Sequence, residues 1–490
     1  MSPTLASILC AVGVACLFYL DREKSAGTSR GVWLPVIWLM IIGSRPVSVW
    51  LGLSPATTTA AQAAEGSPFD AVVFGLLLAA GLIVLVGRRK RLIRCLKANW
   101  PCLLYFGFCL LSVAWSDFPD VAFKRWIKAV GDLVMVIVLA TEIDPEAAVG
   151  RLISRVGYVL MPVSVLLIKY YVELGREYDP DGVVLNTGVT TNKNELGVIT
   201  LVISLGAVWR FLNVLLNKRH PNRTRHLIAR GALVGFCLTV LGMADSATSV
   251  ACFALGTTLL LATYSAKVRR NPRSVHTLVV TLLLLAGSLK LLGGQEGVIH
   301  ALGRKGDLTN RDVIWAAVIP VVPNPLIGAG FESFWIGPRL DQVYSRLSKY
   351  MHVNEAHNGY IEVYLNLGWV GVVLIAMILV SGYRGAVAAL MRAPGFAGLM
   401  LAYVAASVIY SISEAGFRML DPMWMFLLLG VVSSHHISSG GVSGIRKPGP
   451  KAVGEEAQQW PGRRVERFVE MQEGEPFNAA NVLCFKRELG

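Results

Sequence analysis

Long apolar stretches of about 20 residues, separated by short charged clusters, dominate this sequence of 490 residues. A helix that crosses the hydrocarbon core of a bilayer needs roughly that number of apolar residues. Hydrophobic residues make up 54% of the chain and charged residues only 16%, whereas soluble domains contain about 25% charged residues. The pattern predicts an all-α polytopic membrane protein.

About thirteen apolar runs are long enough, or nearly long enough, to cross a bilayer. They start near Thr4, Trp33, Ala71, Cys102, Trp126, Leu152, Leu196, Leu227, Val250, Thr277, Trp369, Phe396 and Met423. The first run lacks a positively charged start and a clear small-residue cleavage site, so we expect it to be retained as a span. The prediction is therefore about 12–13 transmembrane helices within a single domain, residues 1–434.

Lys and Arg are concentrated in alternate connections between these runs. The connections 21–30, 88–91, 218–230 and 267–273 are basic, whereas 54–70 and 245–249 contain neither residue. Cytoplasmic loops accumulate Lys and Arg, so the alternation predicts a periplasmic N-terminus and a cytoplasmic C-terminus. Residues 435–490 are rich in Gly, Ser, Pro and charge, which is typical of a mobile cytoplasmic tail. We assign His435 and His436 to that tail.

The formal net charge of +14 does not indicate a nucleic-acid partner. Nucleic-acid binding requires a basic surface on a folded domain, and here the basic residues lie between membrane spans. The eight cysteines contain no CxxC pair, so the sequence favours neither a zinc site nor a disulfide scaffold.

Two connections predicted on the outer side are longer than turns. One covers residues 170–194, and the other is a long periplasmic loop of about 293–367. Long irregular loops in a compact protein are usually functional or disordered. The Trp, Phe and Pro residues of the second loop argue against disorder, so we expect the functional residues there.

His357 lies in the string NEAHNGYIEVYLNLGWVG, just before the chain re-enters the membrane. A single histidine at such a position is often structural. However, neighbouring cations would keep its imidazole neutral at pH 7, and a neutral imidazole can accept a proton. His357 is therefore a candidate general base.

Four cations lie on the predicted outer side, against the orientation rule: Arg45, Arg176, Lys193 and Arg311. Taken singly, each is explained by a side chain that reaches lipid phosphate at the end of a span. Taken together, they are able to form a phosphate site, because arginine makes bidentate charge-assisted hydrogen bonds with phosphate oxygens.

Asp179 and Asp181 form a DxD string, which is able to hold a divalent cation on a diphosphate. Proline between two aspartates is also ordinary turn chemistry. We favour the turn and predict no metal site and no cofactor.

Seven strings resemble the O-antigen ligase and Wzy-type polysaccharide polymerase superfamily, in particular its exopolysaccharide polymerase branch. They are GSRPVSVW from Gly43, AWSDFP from Ala114, GREY from Gly175, GVTTNKNELG from Gly188, LTNRDVIW from Leu308, NPLIGAGFESFW from Asn324 and AHNGYIEVYLNLGWVG from Ala356. Each string is weak alone, but their order along the chain makes the set specific.

The resemblance implies a GT-C-like glycosyltransferase of the bacterial inner membrane that uses neither a nucleotide sugar nor a metal. Its donor would be an undecaprenyl-diphosphate-linked glycan at the periplasmic face. Its acceptor would be another glycan or the lipid A core. Membrane lipid and other polysaccharide-assembly membrane proteins are the further partners that the resemblance suggests.

The same resemblance implies roles for individual residues. Arg176 and Arg311 would bind the diphosphate, Lys193 and Asn194 match a Lys-Asn pair, and His357 would activate the acceptor hydroxyl. Arg45 would be a further diphosphate contact. One position departs from the family: a basic residue usually follows the first serine of the string MADSATSVACFALG, and this chain has Ala247 there.

Two other classes of function are compatible with the composition. A transporter or flippase for lipid-linked glycan predicts ionisable residues buried at mid-membrane, and the sequence offers few. A membrane scaffold would act through the basic tail and would lose its function when that tail is deleted.

Overall fold

A computed structural model describes residues 1–23, 27–53, 67–178, 182–291, 310–347 and 353–438. These residues are predominantly helical. The α-helices are Pro3–Leu20, Trp33–Ile42, Val47–Trp50, Pro68–Val86, Arg89–Ala98, Trp100–Leu111, Pro119–Ala140, Pro145–Tyr170, Val172–Gly175, Lys193–Leu215, Arg223–Ala244, Ala247–Tyr264, Ala266–Arg270, Pro272–Leu291, Asn310–Val318, Pro338–Arg346, Gly359–Ala389, Pro394–Tyr410 and Pro422–Ser438.

Short elements complete the described structure. Three 3₁₀ turns lie at Arg30–Val32, Ser112–Trp115 and Ile319–Val321. The strands Arg176–Tyr178 and Val184–Asn186 form an antiparallel hairpin, in which Arg176 pairs with Asn186.

Seven of the described helices are long and apolar enough to cross a membrane. They are Pro3–Leu20, Pro68–Val86, Pro145–Tyr170, Lys193–Leu215, Arg223–Ala244, Ala247–Tyr264 and Gly359–Ala389. An eighth span is possible if Arg89–Ala98 and Trp100–Trp115, which meet at 85°, act as one broken span. The predicted all-α polytopic membrane fold is therefore confirmed.

The number of candidate spans is lower than the 12–13 predicted from the sequence. Four of the other predicted runs form helices that are shorter than ordinary spans or carry more charge. Trp33–Ile42 has 10 residues, and Pro394–Tyr410 and Pro422–Ser438 have 17 each. Pro119–Ala140 has 22 residues but contains Lys124, Arg125, Lys128 and Asp132.

The Lys193–Leu215 helix occupies the centre of the fold. Of its apolar window, 78% is buried, the largest share among the seven candidate spans of the described chain. It packs against the helices Pro145–Tyr170, Arg223–Ala244, Ala247–Tyr264 and Pro394–Tyr410. The first turn of this helix consequently lies in the middle of one end of the helix bundle.

Contacts between the connections define two faces of the bundle. On one, the basic face, Asp21 accepts hydrogen bonds from Arg210 and Arg230, and Arg88 pairs with Glu142. On the other, the site face, Trp115 donates to the carbonyl of Ile327 and Asn194 donates to Glu414. The alternation of Lys- and Arg-rich connections with connections that lack them, seen in the sequence, predicts the same division into two faces.

Two of the strings that carry the resemblance are joined through their backbones. Ala329 and Gly330 donate their amides to the carbonyls of Leu365 and Asn366, at 3.1 and 2.9 Å. Gly368 interrupts the Gly359–Ala389 helix with a φ of 62°, and a Cβ there would lie 2.3 Å from the carbonyl carbon of Leu326. Glycine is therefore required at this crossing.

The last described helix ends at Ser438, beyond the boundary at 434 that the sequence suggested. His435 and His436 form its last turn and are not tail residues. The Nδ1 atom of His435 lies 2.8 Å from Oδ1 of Asn99, so the packed part of the chain includes this residue.

Candidate active site

The loop 411–421, between the last two helices, organises the site face. Its backbone carbonyls at Ser411 and Ile412 accept hydrogen bonds from the amide of Gly359 and from Nδ2 of Asn358, at 2.8 and 3.0 Å. The Ser413 hydroxyl is 3.0 Å from that of Thr248. The loop thus joins the starts of the helices Gly359–Ala389 and Ala247–Tyr264.

Glu414, in this loop, is the point at which three predicted site residues meet. Arg311 Nη2 donates to its Oε1 at 3.1 Å. His357 Nδ1 lies 3.5 Å from its Oε2, and Asn194 Nδ2 donates to the same oxygen at 3.5 Å. Glu414 is only 6% exposed, so the carboxylate on which these residues converge is largely removed from solvent.

A second carboxylate lies even closer to His357. Its Nδ1 atom is 2.8 Å from Oε1 of Glu355, while Oε2 of Glu355 accepts a hydrogen bond from Arg418 at 3.0 Å. Arg418 Nε is also 3.9 Å from Glu332. Each of the two carboxylates therefore connects His357 to an arginine, Glu414 to Arg311 and Glu355 to Arg418.

The surroundings of His357 contradict its predicted protonation state. Burial lowers the pKa of the imidazole, but the carboxylates of Glu355 and Glu414 outweigh burial and raise the pKa to about 10. Burial raises the pKa of Glu355, yet His357 and Arg418 bring it down to about 2. The expectation of a neutral His357 held by neighbouring cations is wrong, because the groups in contact with the ring are acidic.

The His-Asn-Gly sequence has a local structural explanation. Asn358 caps the Gly359–Ala389 helix, because its Oδ1 accepts from the amides of Tyr360 and Ile361 at 3.0 Å. A Cβ on Gly359 would lie 2.9 Å from the Cβ of Ser411, so only glycine allows this approach. His357 has a left-handed φ of 48°. The cap and the close packing hold this backbone, and hence the imidazole, against the 411–421 loop.

Arg45 and Arg176 make their contacts around residues 168–190 rather than around Glu414. Arg45 is 7% exposed, and its Nη2 donates to the carbonyl of Leu174 and lies 3.5 Å from Oγ1 of Thr187. Arg176 Nε donates to the carbonyl of Ile168 at 2.9 Å. These two cations therefore form a separate group on the site face.

The first turn of the Lys193–Leu215 helix lies between the two groups. Asn194 contacts Glu414, and the carboxylate of Glu195 is close enough to Arg45 to oppose the lowering of the Arg45 pKa by burial. Lys193, the first residue of the helix, is partly buried. The predicted Lys-Asn pair thus occupies a position between Arg45 and Arg311.

Two of the predicted cations retain a donor without a protein partner. In the described part of the chain, Nη1 of Arg45 and Nη1 of Arg311 are buried and make no hydrogen bond. Buried donors without a partner are costly. Both guanidinium groups therefore have a free edge for an acceptor such as an anionic ligand.

The acidic residues around His357 also resemble a metal-ligand set. Ligand atoms of Glu355, His357 and Glu414 lie within 4.8 Å of one another. However, Arg311 and Arg418 bind these same carboxylates, and their positive charges would compete with a cation. Asp179 and Asp181, the DxD string that the sequence analysis considered as a metal site, lie outside the described residues.

Sequence reasoning missed Glu414, Glu355 and Arg418. A signal for two of them was present in the string SISEAGFRMLDP, which begins at Ser411 and connects two apolar runs on the predicted outer side. A glutamate and an arginine in so short a connection are unusual for a turn between spans. Ala247, the position without the expected cation, starts the Ala247–Tyr264 helix next to Thr248.

The fold and the site define a polytopic helical membrane protein with a partly buried cluster of ionisable groups at one end of the bundle. Residues 231–376 match the O-Antigen ligase family, Wzy_C. The chain is also 26% identical over 314 residues to the exopolysaccharide production protein ExoQ of Rhizobium meliloti (strain 1021), covering 62% of this chain and 68% of the relative.

These similarities confirm the resemblance to the O-antigen ligase and Wzy-type polymerase superfamily. The family match includes Arg311 and His357 but ends before the 411–421 loop. The chain is thus similar to membrane enzymes of the O-antigen ligase and polymerase type.

Proposed function

We propose that this protein is a glycosyltransferase of the bacterial inner membrane that extends a polysaccharide at the periplasmic face. The donor is a glycan on undecaprenyl diphosphate, and the acceptor is a hydroxyl of another glycan. The similarity to an exopolysaccharide production protein favours polymerisation over transfer to the lipid A core. The convergence of Arg311, His357 and Asn194 on Glu414 carries the proposal.

The diphosphate is bound by the cations of the site face. Arg311 and Arg45 each have an unpaired buried Nη1, and guanidinium groups bind phosphate oxygens through paired hydrogen bonds. The helices that begin at Lys193, Ala247 and Gly359 start at the same face. The helix dipole gives each N-terminus a partial positive charge, which favours an anion at this face. Positive charge from the protein thus stabilises the leaving diphosphate.

The reaction is a direct displacement. The acceptor oxygen forms a bond to the anomeric carbon, the bond from that carbon to the diphosphate oxygen breaks, and the electron pair leaves with the diphosphate. Attack opposite the leaving group inverts the anomeric configuration. The acceptor hydroxyl must also lose a proton, which requires a base within hydrogen-bonding distance of it.

Glu414 is the base that fits the contacts around His357. His357 lies against two carboxylates and is protonated at neutral pH, so its imidazolium contributes charge towards the diphosphate. When the diphosphate binds Arg311, it competes with Glu414 for that guanidinium. The released Glu414 carboxylate then accepts the hydroxyl proton, and the adjacent His357 stabilises the arrangement electrostatically.

Glycan transfer by the purified full-length protein in detergent tests the proposal. The measurements are the lengthened glycan and the lipid diphosphate released with it. His357→Ala and Arg311→Ala should each reduce the rate by about 100-fold or more, the usual cost of removing one preorganised stabilising group. Arg346→Ala is the matched control, because Arg346 is exposed at the end of the Pro338–Arg346 helix.

Undiminished transfer by both site variants would contradict the assignment of the site. A protein that moves the lipid-linked glycan across a vesicle membrane, without forming a glycosidic bond or releasing lipid diphosphate, would instead be a flippase.

A further inference from the structure

A cavity of about 530 Å³ opens on the basic face, away from the candidate active site. It lies where the Pro3–Leu20 helix ends and the Arg223–Ala244 helix begins. Tyr19, Arg22, Glu23, His220, Arg225 and His226 contribute to its lining. Both helices are candidate membrane spans, so the cavity lies at the level where lipid headgroups meet the protein.

The acidic groups near this cavity are already paired. Asp21 accepts from Arg210 at 2.7 Å and from Arg230 at 3.0 Å, and its other close neighbour is Nδ1 of His226 at 3.2 Å. Glu23 pairs with Arg230 and lies 3.8 Å from Arg210. The negative charge of these two carboxylates is therefore balanced within the protein.

The cations of the lining are not balanced in this way. Among the residues that the structure describes, Arg225 donates to the backbone carbonyls of Leu20 at 2.9 Å, Tyr19 at 2.8 Å and Arg22 at 3.2 Å, and its guanidinium lies 5.4 Å from the centre of the Tyr19 ring. Arg22 is exposed, and its side chain makes no ion pair with the residues that the structure describes. The cavity consequently presents two guanidinium groups that have no carboxylate partner within the described part of the chain.

The start of the Arg223–Ala244 helix adds donors to the same cavity. Its N-cap residue, Asn222, has a left-handed φ of 53°, and its side chain makes no capping hydrogen bond. The first-turn amides of a helix need an acceptor from outside the helix. Uncapped amides together with the positive end of the helix dipole favour a phosphate group.

We propose that this cavity binds the phosphate of an acidic phospholipid headgroup. Basic pockets between membrane helices are a known setting for such recognition, and this one combines Arg22, Arg225 and an uncapped helix start. The site is independent of the proposed transferase reaction. Bound lipid would tie the first span to the Arg223–Ala244 span from the membrane side.

Binding to the full-length protein in non-ionic detergent tests the proposal. Native mass spectrometry measures the affinity for short-chain phosphatidylglycerol, with short-chain phosphatidylcholine as the neutral-headgroup control, and calorimetry measures inorganic phosphate. Arg22→Glu should weaken phosphatidylglycerol binding by about fivefold or more, because each basic residue near the membrane surface contributes about 1 kcal/mol. Arg94→Glu, a reversal at an exposed residue of the basic Arg89–Ala98 helix, should leave it within about twofold.

The three probes give distinct outcomes. Binding of phosphatidylglycerol, but not of phosphatidylcholine, that depends on Arg22 supports a headgroup site. Inorganic phosphate that binds with the same dependence on Arg22, without phosphatidylglycerol binding, overturns the lipid assignment and indicates a soluble phosphate ligand. Equal affinity of the wild type and Arg22→Glu for every probe overturns the site itself.

Discussion

The guanidinium of Arg311 donates from Nη2 to Oε1 of Glu414 at 3.1 Å. The remaining oxygen of the carboxylate faces His357 and Asn194. The cation proposed to bind the diphosphate is thus held by a carboxylate until substrate arrives. In the proposed reaction, substrate binding and the release of a base next to His357 are coupled through Glu414.

The charge of Glu414 should consequently be more important than its shape. Glu414→Gln keeps the volume and loses the carboxylate that pairs with Arg311. We expect the rate of glycan transfer at saturating donor to fall by about 10²–10⁴-fold, the usual contribution of a general base. The comparison uses steady-state kinetics with both variants at equal concentration, and Glu173→Gln, at an exposed glutamate of the site face, is the control. Wild-type kcat in Glu414→Gln would exclude the residue as the base.

The pH dependence of transfer separates the two possible roles of His357. If a neutral imidazole were the base, the rate would rise about tenfold per pH unit from pH 7 towards the pKa of about 10. With the imidazolium as the active form, we expect no such rise between pH 7 and 9, and a fall above about 10. Initial rates over this range, in buffers of constant ionic strength, give the answer.

The pair formed by His357 and Glu355 should also make stability depend on pH. The pKa of His357 is raised from 6.5 to about 10, so its contribution is complete below pH 6.5 and is lost as the pH rises through about 10. The pKa of Glu355 is lowered from 4.5 to about 2, so its contribution is complete above pH 4.5 and is lost as the pH falls through about 2. Together they stabilise the fold most between pH 4.5 and 6.5.

Thermal unfolding in detergent measures this contribution as the difference in Tm between the wild type and His357→Ala. The difference should be largest near pH 6 and smaller at pH 9, because a smaller part of the interaction remains when the solution pH approaches the folded pKa. A difference that increased from pH 6 to pH 9 would be incompatible with a raised pKa.

The sequence predicted the helical membrane fold, and it singled out candidate site residues without predicting how they are arranged. Spans can be recognised in a sequence because each needs a continuous apolar run. Arg311, His357 and Asn194 became candidates because they lie in short strings that resemble the family. Glu414 was not, because it is brought to His357 by the packing of distant helices and no local pattern records that contact. Among the described residues, fewer helices qualify as candidate spans than the apolar runs suggested, because a run of apolar residues does not reveal where a helix ends or bends, as between Ala98 and Trp100.

The protonation state of His357 could not be predicted from the sequence either. Counting cations nearby in the chain suggested a neutral ring, but a pKa depends on which groups lie within a few ångströms. Glu355 is two residues away in sequence and was overlooked, yet its Oε1 lies 2.8 Å from Nδ1 of His357.

Asn358 should hold the 411–421 loop through its side-chain amide nitrogen, in addition to capping the Gly359–Ala389 helix. Asn358→Asp keeps an oxygen that caps the helix but loses the donor to the carbonyl of Ile412. We expect a small decrease in Tm, because one lost hydrogen bond costs about 1 kcal/mol of unfolding free energy. The rate of glycan transfer should fall by more than this loss of stability explains. Asn358→Ala removes both functions and should lower Tm further, because loss of the cap costs about another 1 kcal/mol of unfolding free energy. Full activity in Asn358→Asp would show that the contact with Ile412 does not position His357.

Metal chelation provides a final test of how the diphosphate is bound. Glu355, His357 and Glu414 are close enough to bind a cation, but Arg311 and Arg418 already pair with the two carboxylates. If guanidinium groups supply the positive charge, EDTA should leave the transfer rate unchanged within about twofold, and added magnesium should not increase it. The assay needs a donor prepared in advance, so that metal-dependent synthesis of the lipid-linked glycan does not contribute. Loss of transfer with EDTA and recovery with magnesium would contradict the metal-independent reaction, and Asp179→Asn would then test the remaining acidic candidate.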